Sequence, residues 1–299
     1  MGPPEMHDVP AASILDECFR LPLLRAAQPD LVLRSFGRLA DWQAWFGENN
    51  ASDRGVTDAM VRQAQVLGLS SLHLGHVLPS EVEVRERPSH SDIVVGGLAA
   101  RHRSMLDLIA ALELTARPEE ARIYAAEAVT PWARAMRGRY PRFIGSEYCP
   151  DPAAADRLYP IEHQDLARLG YPNESFDLVV TQEVIEHLPH LFAALSEMAR
   201  VTRPGGIMLS SMPWHYFSEE TLYKARLVDG EVQLLGEPEY HDDPVNPAGV
   251  LVFQLPGWDI LKMAQAAGFS SAEFLFHSST IGGIHGQDVI GVFVLACRK

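Results

Sequence analysis

The strongest fold signal lies at residues 165–206, which read DLARLGYPNESFDLVVTQEVIEHLPHLFAALSEMARVTRPGG. Within it, 177–181 (DLVVT) is a short apolar run that is typical of a buried strand. The helical spacing of apolar residues over 190–201 predicts a helix, and 207–213 (IMLSSMP) predicts the next strand. A strand, a helix and a second strand in this order indicate part of a parallel sheet.

The same alternation of strands and helices continues on both sides of this stretch. We therefore predict an α/β fold over 119–299, a Rossmann-like, doubly wound, mostly parallel sheet with helices on both faces. The segment 1–118 is predicted to be mainly helical and to act as a lid, an acceptor-binding element or a dimerisation element. The other predicted elements are strands at 81–87, 122–126, 142–146, 161–164 (weak), 269–276 and 289–297, and helices at 57–68, 98–114, 131–139 and 258–267.

The composition indicates which kinds of binding partner and which cellular compartment to expect. The chain has 299 residues, of which 39 are acidic and 25 basic, so its formal net charge is −14. Because nonspecific binding to nucleic acid depends on clustered Lys and Arg, we expect no nucleic-acid partner and no anionic membrane partner. The three cysteines, Cys18, Cys149 and Cys297, are widely spaced, which favours a reduced cytoplasmic protein over a disulfide or zinc framework.

The glycines and the strand-end acids point to a particular kind of ligand site. None of the 22 glycines forms a Gly-x-Gly pair, which argues against a nicotinamide dehydrogenase. Ligands of open α/β sheets bind at the carboxyl ends of the strands, and three predicted strands are followed there by Glu127, Glu147 and Asp165. A carboxylate can accept hydrogen bonds from two ribose hydroxyls, a role that suits Glu147, whereas Asp165 could accept from an adenine amine with Leu166 against the ring. The alternative for each acid taken alone is a solvated loop residue.

The stretch 165–206 resembles the class I S-adenosylmethionine-dependent methyltransferases. The matching pieces are Asp165–Leu166, Ser175–Val179, Glu186–Pro189 and Arg203–Gly206, which occur in the family's order. The resemblance implies that the cofactor is S-adenosylmethionine and that the chain is a methyltransferase.

A wider match runs from about residue 120 to the C-terminus and includes 238–245 and 257–259. It is similar to a bacterial subgroup in which a strand ending in Glu replaces the family's glycine-rich first motif. Here that strand end reads Ala126-Glu127-Ala128, whose small side chains leave room for the cofactor and whose carboxylate could accept from its ammonium group. The candidate cofactor-binding residues are Glu127, Ala128, Glu147, Tyr148, Asp165, Leu166, Thr181 and Gln182.

The acceptor side needs a group that takes up a proton, because a neutral nucleophile must lose one when it is methylated. Histidine suits this task near neutral pH. His241, which has Asp242 beside it, is the first candidate, and His215 is the second. His187 could also act as a base, although packing is its favoured role. The alternative for His241 and His215 is that both are surface residues in a chain with 12 histidines.

The predicted function is therefore methylation of an oxygen or nitrogen atom of a small-molecule acceptor, and a homodimer is compatible with the sequence. The missing glycine motif supports one alternative, a cofactor-binding scaffold or regulatory protein that kept the fold and lost methyl transfer.

Overall fold

The computed structural model describes residues 13–49, 54–86, 91–149, 156–286 and 289–299. Over these residues, no helix is long and apolar enough to cross a bilayer. The helices are α1 (Ile14–Cys18), α2 (Leu21–Ala27), α3 (Leu39–Asn49), α4 (Arg54–Leu67), α5 (Ala100–Ala111), α6 (Pro131–Arg139), α7 (Leu191–Val201) and α8 (Asp259–Ala266), with 3-10 turns at Pro79–Glu81, Glu113–Thr115 and Ile185–His187.

Eight of the described strands form one central sheet. They are β1 (Val32–Phe36), β6 (Ile123–Ala125), β7 (Phe143–Glu147), β8 (Glu162–His163), β9 (Phe176–Gln182), β10 (Thr202–Ser211), β17 (Ser271–Ser278) and β18 (Val292–Arg298).

The other described strands pair as two-stranded ribbons outside the sheet. They are β2 (Leu69–Ser71) with β3 (Gly75–Val77), β4 (Val82–Glu86) with β5 (Ser91–Val95), β11 (Leu222–Tyr223) with β16 (Gln254–Leu255), β12 (Ala225–Val228) with β13 (Glu231–Leu234), and β14 (Tyr240–His241) with β15 (Val250–Leu251).

The strand order of the sheet is β1-β17-β18-β10-β9-β6-β7-β8. The five strands from β8 to β10 are mutually parallel, whereas β18 runs antiparallel to β10 and β17 runs antiparallel to β18. From β6 the chain proceeds to β7 and β8 on one side and then to β9 and β10 on the other. The predicted doubly wound, mostly parallel sheet is confirmed, and its order reverses between β6 and β9, where such folds bind ligands.

The central strands are apolar because both faces of the sheet are covered. Every residue of β9 is buried. Leu178 and Val180 pack in the core on one face together with α5 and α6, whereas Val179 packs on the opposite face with α7 and α8. A continuous apolar run, rather than an alternating one, is the pattern that a strand buried on both faces requires.

The N-terminal segment, predicted to be mainly helical, also contains β1 to β5. Strand β1 extends the central sheet by pairing antiparallel with β17. Exposed and half-buried residues alternate along Val32–Ser35, and Phe36 is buried, as is compatible with a strand at the edge of a sheet. Trp42 of α3, which is fully buried, packs against Phe276 and Phe293 of the sheet. Residues 13–49 therefore share a core with the C-terminal strands, and the boundary at 118 stays a prediction.

A buried chain of hydrogen bonds joins the N-terminal segment to the sheet. Asp107 of α5 accepts from Ser71 Oγ at 2.6 Å, from the backbone N–H of His73 at 2.9 Å and from Gln28 Nε2 at 2.8 Å. Gln28 Oε1 lies 2.9 Å from Nε2 of His277 in β17. Asp107, Gln28 and His277 are fully buried, so these polar groups depend on one another for hydrogen bonding.

Candidate active site

The structure brings three of the predicted cofactor-binding side chains together at the point where the strand order reverses. Glu127 follows β6, Glu147 ends β7 and Gln182 ends β9, and these three strands are neighbours in the sheet. All three side chains are buried. Because the carboxyl ends of parallel strands meet at one edge, residues far apart in the chain converge there.

Glu127 and Gln182 form a hydrogen-bonded pair. Gln182 Nε2 donates to Glu127 Oε1 at 2.6 Å, and the hydroxyl of Thr130 donates to Glu127 Oε2. Burial raises the pKa of Glu127 to about 7, although both hydrogen bonds oppose the rise. Gln182 Oε1 is buried and has no hydrogen-bond partner among the described residues. Such a group is costly unless a ligand donates to it, so the pair presents an unused acceptor at this edge of the sheet.

Glu147 closes the loop that follows β6. Its Oε1 accepts from the backbone N–H of Ala128 at 2.7 Å and from that of Val129 at 3.1 Å. Burial raises the pKa of Glu147, and the charge of Asp243 adds to the rise. One carboxylate oxygen thus holds the loop that follows β6, while Oε2 makes neither of these bonds. Ala128 contributes its backbone N–H to this contact.

Gly145 of β7 allows this loop to lie directly against the strand. A Cβ atom at position 145 would stand 2.5 Å from the carbonyl oxygen of Glu127 and 3.1 Å from the Cα of Ala128. Both are backbone atoms, so a side chain could fit only if the loop moved away. Gly145 thus allows the loop after β6 to pack directly on β7.

Replacing Gly145 with Ala is expected to lower the free energy of unfolding by roughly 1–3 kcal/mol, because the added methyl group overpacks a backbone contact. Urea unfolding of the two proteins measures the change. Gly138→Ala on α6 is the matched control, since a Cβ there meets nothing within 4 Å and alanine is the better helix former. Equal stabilities of Gly145→Ala and Gly138→Ala would contradict the close packing.

Tyr148 and Asp165 lie at the exposed rim of this edge. Tyr148 is 56% exposed, and its ring centroid lies 5.6 Å from that of His163. Asp165 is exposed and follows β8, and its Oδ1 accepts from the backbone N–H of Ala167 at 2.8 Å. Their contact with a cofactor stays a prediction.

Leu166 and Thr181 are directed into the protein. Leu166 is buried in the core beneath α7 and α8. Thr181 is fully buried, and its hydroxyl donates to Ser210 Oγ of β10 at 2.8 Å. Their direct contact with a cofactor stays a prediction, and the structure gives each of them a packing role within the sheet.

A second group of side chains gathers around the turn that follows β9. The acid–histidine cluster consists of Glu186, His187 and His241, whose candidate ligand atoms lie within 4.8 Å of one another. Glu186 Oε1 is 3.5 Å from His187 Nε2 and 3.5 Å from His241 Nδ1. Glu186 is fully buried, and neither of its carboxylate oxygens has a hydrogen-bond partner among the described residues. Burial raises the pKa of this carboxyl group to about 7.

Each histidine of the cluster is held by the ring nitrogen that faces away from Glu186. His187 Nδ1 lies 2.9 Å from the carbonyl oxygen of Leu251, and His241 Nε2 lies 3.3 Å from Glu239 Oε1. Burial lowers the pKa of His187, whereas the carboxylates of Glu186 and Glu239 raise the pKa of His241.

The surroundings of the candidate bases differ in part from the sequence-based expectation. His241 belongs to the cluster, but Glu186 and Glu239, rather than the exposed Asp242, lie against its ring. His215 is exposed and is not a member of the cluster. Its role as a base stays a prediction. Glu186 is not among the residues predicted for the site, although its place beside His187 in the matched Glu186–Pro189 segment is a usable signal.

Asp243 connects the cluster with the strand-end carboxylates electrostatically. Its charge contributes to the raised pKa of Glu147, and it opposes the lowering of the pKa of His187 by burial. The segment around β14 therefore lies close enough to influence both groups.

Comparisons with known proteins give a domain match and partial matches to relatives. The family model described as "Methyltransferase domain" matches residues 129–210. A probable S-adenosylmethionine-dependent methyltransferase of Mycolicibacterium smegmatis is 32% identical over 158 residues, which cover 50% of this chain and 53% of that protein. The 27-O-demethylrifamycin SV methyltransferase of Amycolatopsis mediterranei is 39% identical over 54 residues, which cover 18% of this chain and 20% of that protein. The chain thus spans about half the length of the first relative and a fifth of the second.

Among solved structures, Streptomyces venezuelae DesVI matches with a TM-score of 0.41 and 18% identity, over 67% of this chain and 90% of that chain. The matched family model begins just after Glu127 and ends in β10, so it covers the half of the sheet that carries Glu147 and Gln182. Through this domain the chain is similar to the class I S-adenosylmethionine-dependent methyltransferases, whose methyl donor is S-adenosylmethionine.

Proposed function

We propose that this protein transfers a methyl group from S-adenosylmethionine to an oxygen or nitrogen atom of a small-molecule acceptor. The observation that carries the proposal is the buried Glu127–Gln182 pair at the point where the strand order reverses, with one acceptor oxygen unused. Activity, acceptor and partners are proposals for the whole protein.

The residues present fit the cofactor. S-adenosylmethionine carries an ammonium group, and Glu127 with Gln182 Oε1 offers a carboxylate and an unpartnered carbonyl oxygen to receive it. Its ribose has two hydroxyls, for which Glu147 Oε2 is the acceptor. Its adenine ring would lie against Tyr148, with Asp165 accepting from the exocyclic amine. An acidic edge also suits a ligand whose sulfonium is positively charged.

The protein's own contribution is positioning and proton uptake. When bound, the cofactor supplies an electrophilic methyl group together with its leaving group. The acceptor atom must be held in line with the methyl–sulfur bond, and its proton must leave. Glu186 and His187 of the acid–histidine cluster lie in the turn that follows β9, four and five residues after Gln182, and the cluster is the group that would take up that proton.

The second candidate is a protein that binds the cofactor without transferring the methyl group. The Ala126-Glu127-Ala128 sequence in place of the glycine motif favours it. The buried convergence of Glu186, His187 and His241 favours transfer, because a pure binding protein would not need three basic atoms on the acceptor side.

Calorimetric titration with S-adenosylmethionine and with its demethylated product tests the proposal. We expect both to bind, and Glu147→Ala to weaken binding by roughly 1–3 kcal/mol because a buried acceptor of hydroxyl groups is lost. Glu231→Ala, at an exposed position of β13, is the matched control and should bind as the wild type does. Absence of binding at a large ligand excess would overturn the proposal. Tight binding without turnover on any acceptor would favour the second candidate.

For the compartment and the partners we rely on the sequence. We propose a cytoplasmic protein that acts on a small molecule and binds no nucleic acid and no membrane, and a homodimer fits the same picture. The net charge of −14 and the widely spaced cysteines support this proposal.

A further inference from the structure

The acid–histidine cluster contains a buried carboxylate, that of Glu186, to which no group among the described residues donates a hydrogen bond. Both carboxylate oxygens of Glu186 are buried without a hydrogen-bond partner. Oε1 lies 3.5 Å from one ring nitrogen of His187 and 3.5 Å from one of His241. That separation is longer than an ordinary N–H···O hydrogen bond.

The outer contacts of the two histidines define which ring nitrogens carry protons. The carbonyl oxygen of Leu251 can only accept, so Nδ1 of His187 is the protonated nitrogen. Likewise Glu239 Oε1 accepts from Nε2 of His241. In the neutral form of each ring, the nitrogen directed toward Glu186 then bears a lone pair. Two nitrogen lone pairs and a carboxylate converge on one point without a donor between them.

We propose that Glu186, His187 and His241 bind a divalent transition-metal ion of the kind that imidazole ligands favour, with Zn²⁺ as the representative. Two histidines and one carboxylate form a ligand set that occurs repeatedly in metal sites with open positions. Metal–ligand bonds of ~2.1 Å at tetrahedral angles place neighbouring ligand atoms ~3.4 Å apart. The two nitrogen–oxygen distances of 3.5 Å match that spacing.

The surroundings have the features of a metal site beyond its ligands. Metal-bound histidines usually donate their other N–H to a carbonyl or a carboxylate, which fixes the ring and the tautomer. The carbonyl oxygen of Leu251 accepts in this way from His187, and the carboxylate of Glu239 accepts from His241. Lys224 in turn pairs with Glu239. Imidazole and carboxylate ligands with this support favour Zn²⁺ over Mg²⁺, which prefers oxygen ligands.

The ion would have an open side. The side chain of Glu186 is fully buried, but that of His241 is 28% exposed, so the cluster can be reached from the solvent side of β14. A hydroxyl oxygen of the acceptor could occupy the remaining position, where a divalent ion lowers the pKa of the hydroxyl. This role rests on the proposed methyl transfer, whereas the metal site itself does not.

Metal binding is tested on the full chain, without a histidine tag, after removal of bound metal with a chelator. We expect one Zn²⁺ per chain by calorimetry and elemental analysis, and the visible absorption of low-symmetry Co²⁺ when cobalt is the probe. Excess Mg²⁺ should not displace either ion. His187→Ala and His241→Ala should each weaken Zn²⁺ binding more than about 100-fold, since outer partners alone are worth roughly 10–100-fold.

Two further variants sharpen the test. Glu239→Gln removes only the outer partner of His241 and should weaken Zn²⁺ binding by roughly 10–100-fold. His190→Ala removes an exposed histidine close in sequence and should leave binding unchanged. His241 is partly exposed, so its alanine variant should retain the fold, which thermal unfolding checks.

The proposal is overturned if the wild-type protein binds neither Zn²⁺ nor Co²⁺, or if His187→Ala and His241→Ala bind Zn²⁺ as His190→Ala does. Titration of the same samples with S-adenosylmethionine separates this outcome from failure of the proposed function. A protein that binds the cofactor but no metal keeps the proposed function and loses the metal site. A protein that binds metal but no cofactor keeps the site and loses the function.

Discussion

Replacing Asp107 with Ala is expected to lower the free energy of unfolding by about 3 kcal/mol, because buried donors lose their acceptor. Ser71 Oγ, the backbone N–H of His73 and Gln28 Nε2 all donate to this carboxylate at 2.6 to 2.9 Å. Asp107 is fully buried, so water cannot replace the lost contacts without entering the core. Burial raises the pKa of Asp107 to about 6, and these donors oppose that rise.

The destabilisation should extend beyond Asp107, because its contacts determine how Gln28 and then His277 are oriented in the buried hydrogen-bond network. Gln28 Nε2 donates to Asp107, which leaves its Oε1 to accept from Nε2 of His277. The other ring nitrogen of His277 then accepts from the Ser104 hydroxyl at 2.9 Å. Burial lowers the pKa of His277 to about 3, consistent with a neutral ring. Asp107→Asn would place an amide opposite Gln28 and should cost less than the alanine variant.

Urea unfolding of Asp107→Ala, Asp107→Asn and a control measures these differences. Asp58→Ala, at an exposed position of α4, should change the free energy of unfolding by no more than about 0.5 kcal/mol. If Asp107→Ala unfolds at the same urea concentration as Asp58→Ala, the buried network does not hold the N-terminal segment to the sheet.

The strand ends could be predicted because the apolar run of each strand and the acid that follows it are neighbours in the sequence. The run at 177–181 is apolar throughout, and 122–126 and 142–146 are short β-prone segments before an acid, so their carboxyl ends place Glu127 and Glu147 at one edge. Parallel pairing then follows from the alternation with helices. The structure confirms the sheet, and it adds the contacts that composition cannot specify, such as Glu147 with the backbone of Ala128.

The acid–histidine cluster could not be predicted in full, because it depends on pairing between distant segments. Glu186 lies in the turn after β9, whereas His241 lies in a two-residue strand, β14, inside a long excursion. Nothing in the local sequence gives the position of that excursion over the turn. The same reason applies to β1, whose partner β17 lies near the other end of the chain, and to Gln28 with His277. Without knowledge of such long-range contacts, Asp242 was the natural neighbour for His241.

Affinity for S-adenosylmethionine is expected to fall as the pH drops below about 7, because Glu127 must be ionised to receive the ammonium group. Burial raises the pKa of Glu127 to about 7, so in the free protein this carboxyl group is largely protonated at pH 6. Binding then has to release a proton, and Kd should increase by up to about tenfold for each pH unit below the pKa. Above the pKa the carboxylate is already present, and Kd should level off.

Glu127→Gln distinguishes the pH dependence that arises from Glu127 from that of every other titratable group in the site. The amide retains the size of the side chain but cannot ionise. Titration at position 127 should therefore no longer change the Kd of the variant between pH 5.5 and 8. At pH 8 the variant should bind roughly 30–150-fold more weakly, as a charge-assisted contact worth about 2–3 kcal/mol is lost. Toward pH 5.5 the two proteins should converge. Calorimetry in two buffers of different ionisation enthalpy counts the released proton directly, with Glu231→Ala as the control that keeps the wild-type profile. A wild-type Kd that stays constant through pH 7 without proton release would show that Glu127 does not receive the ammonium group.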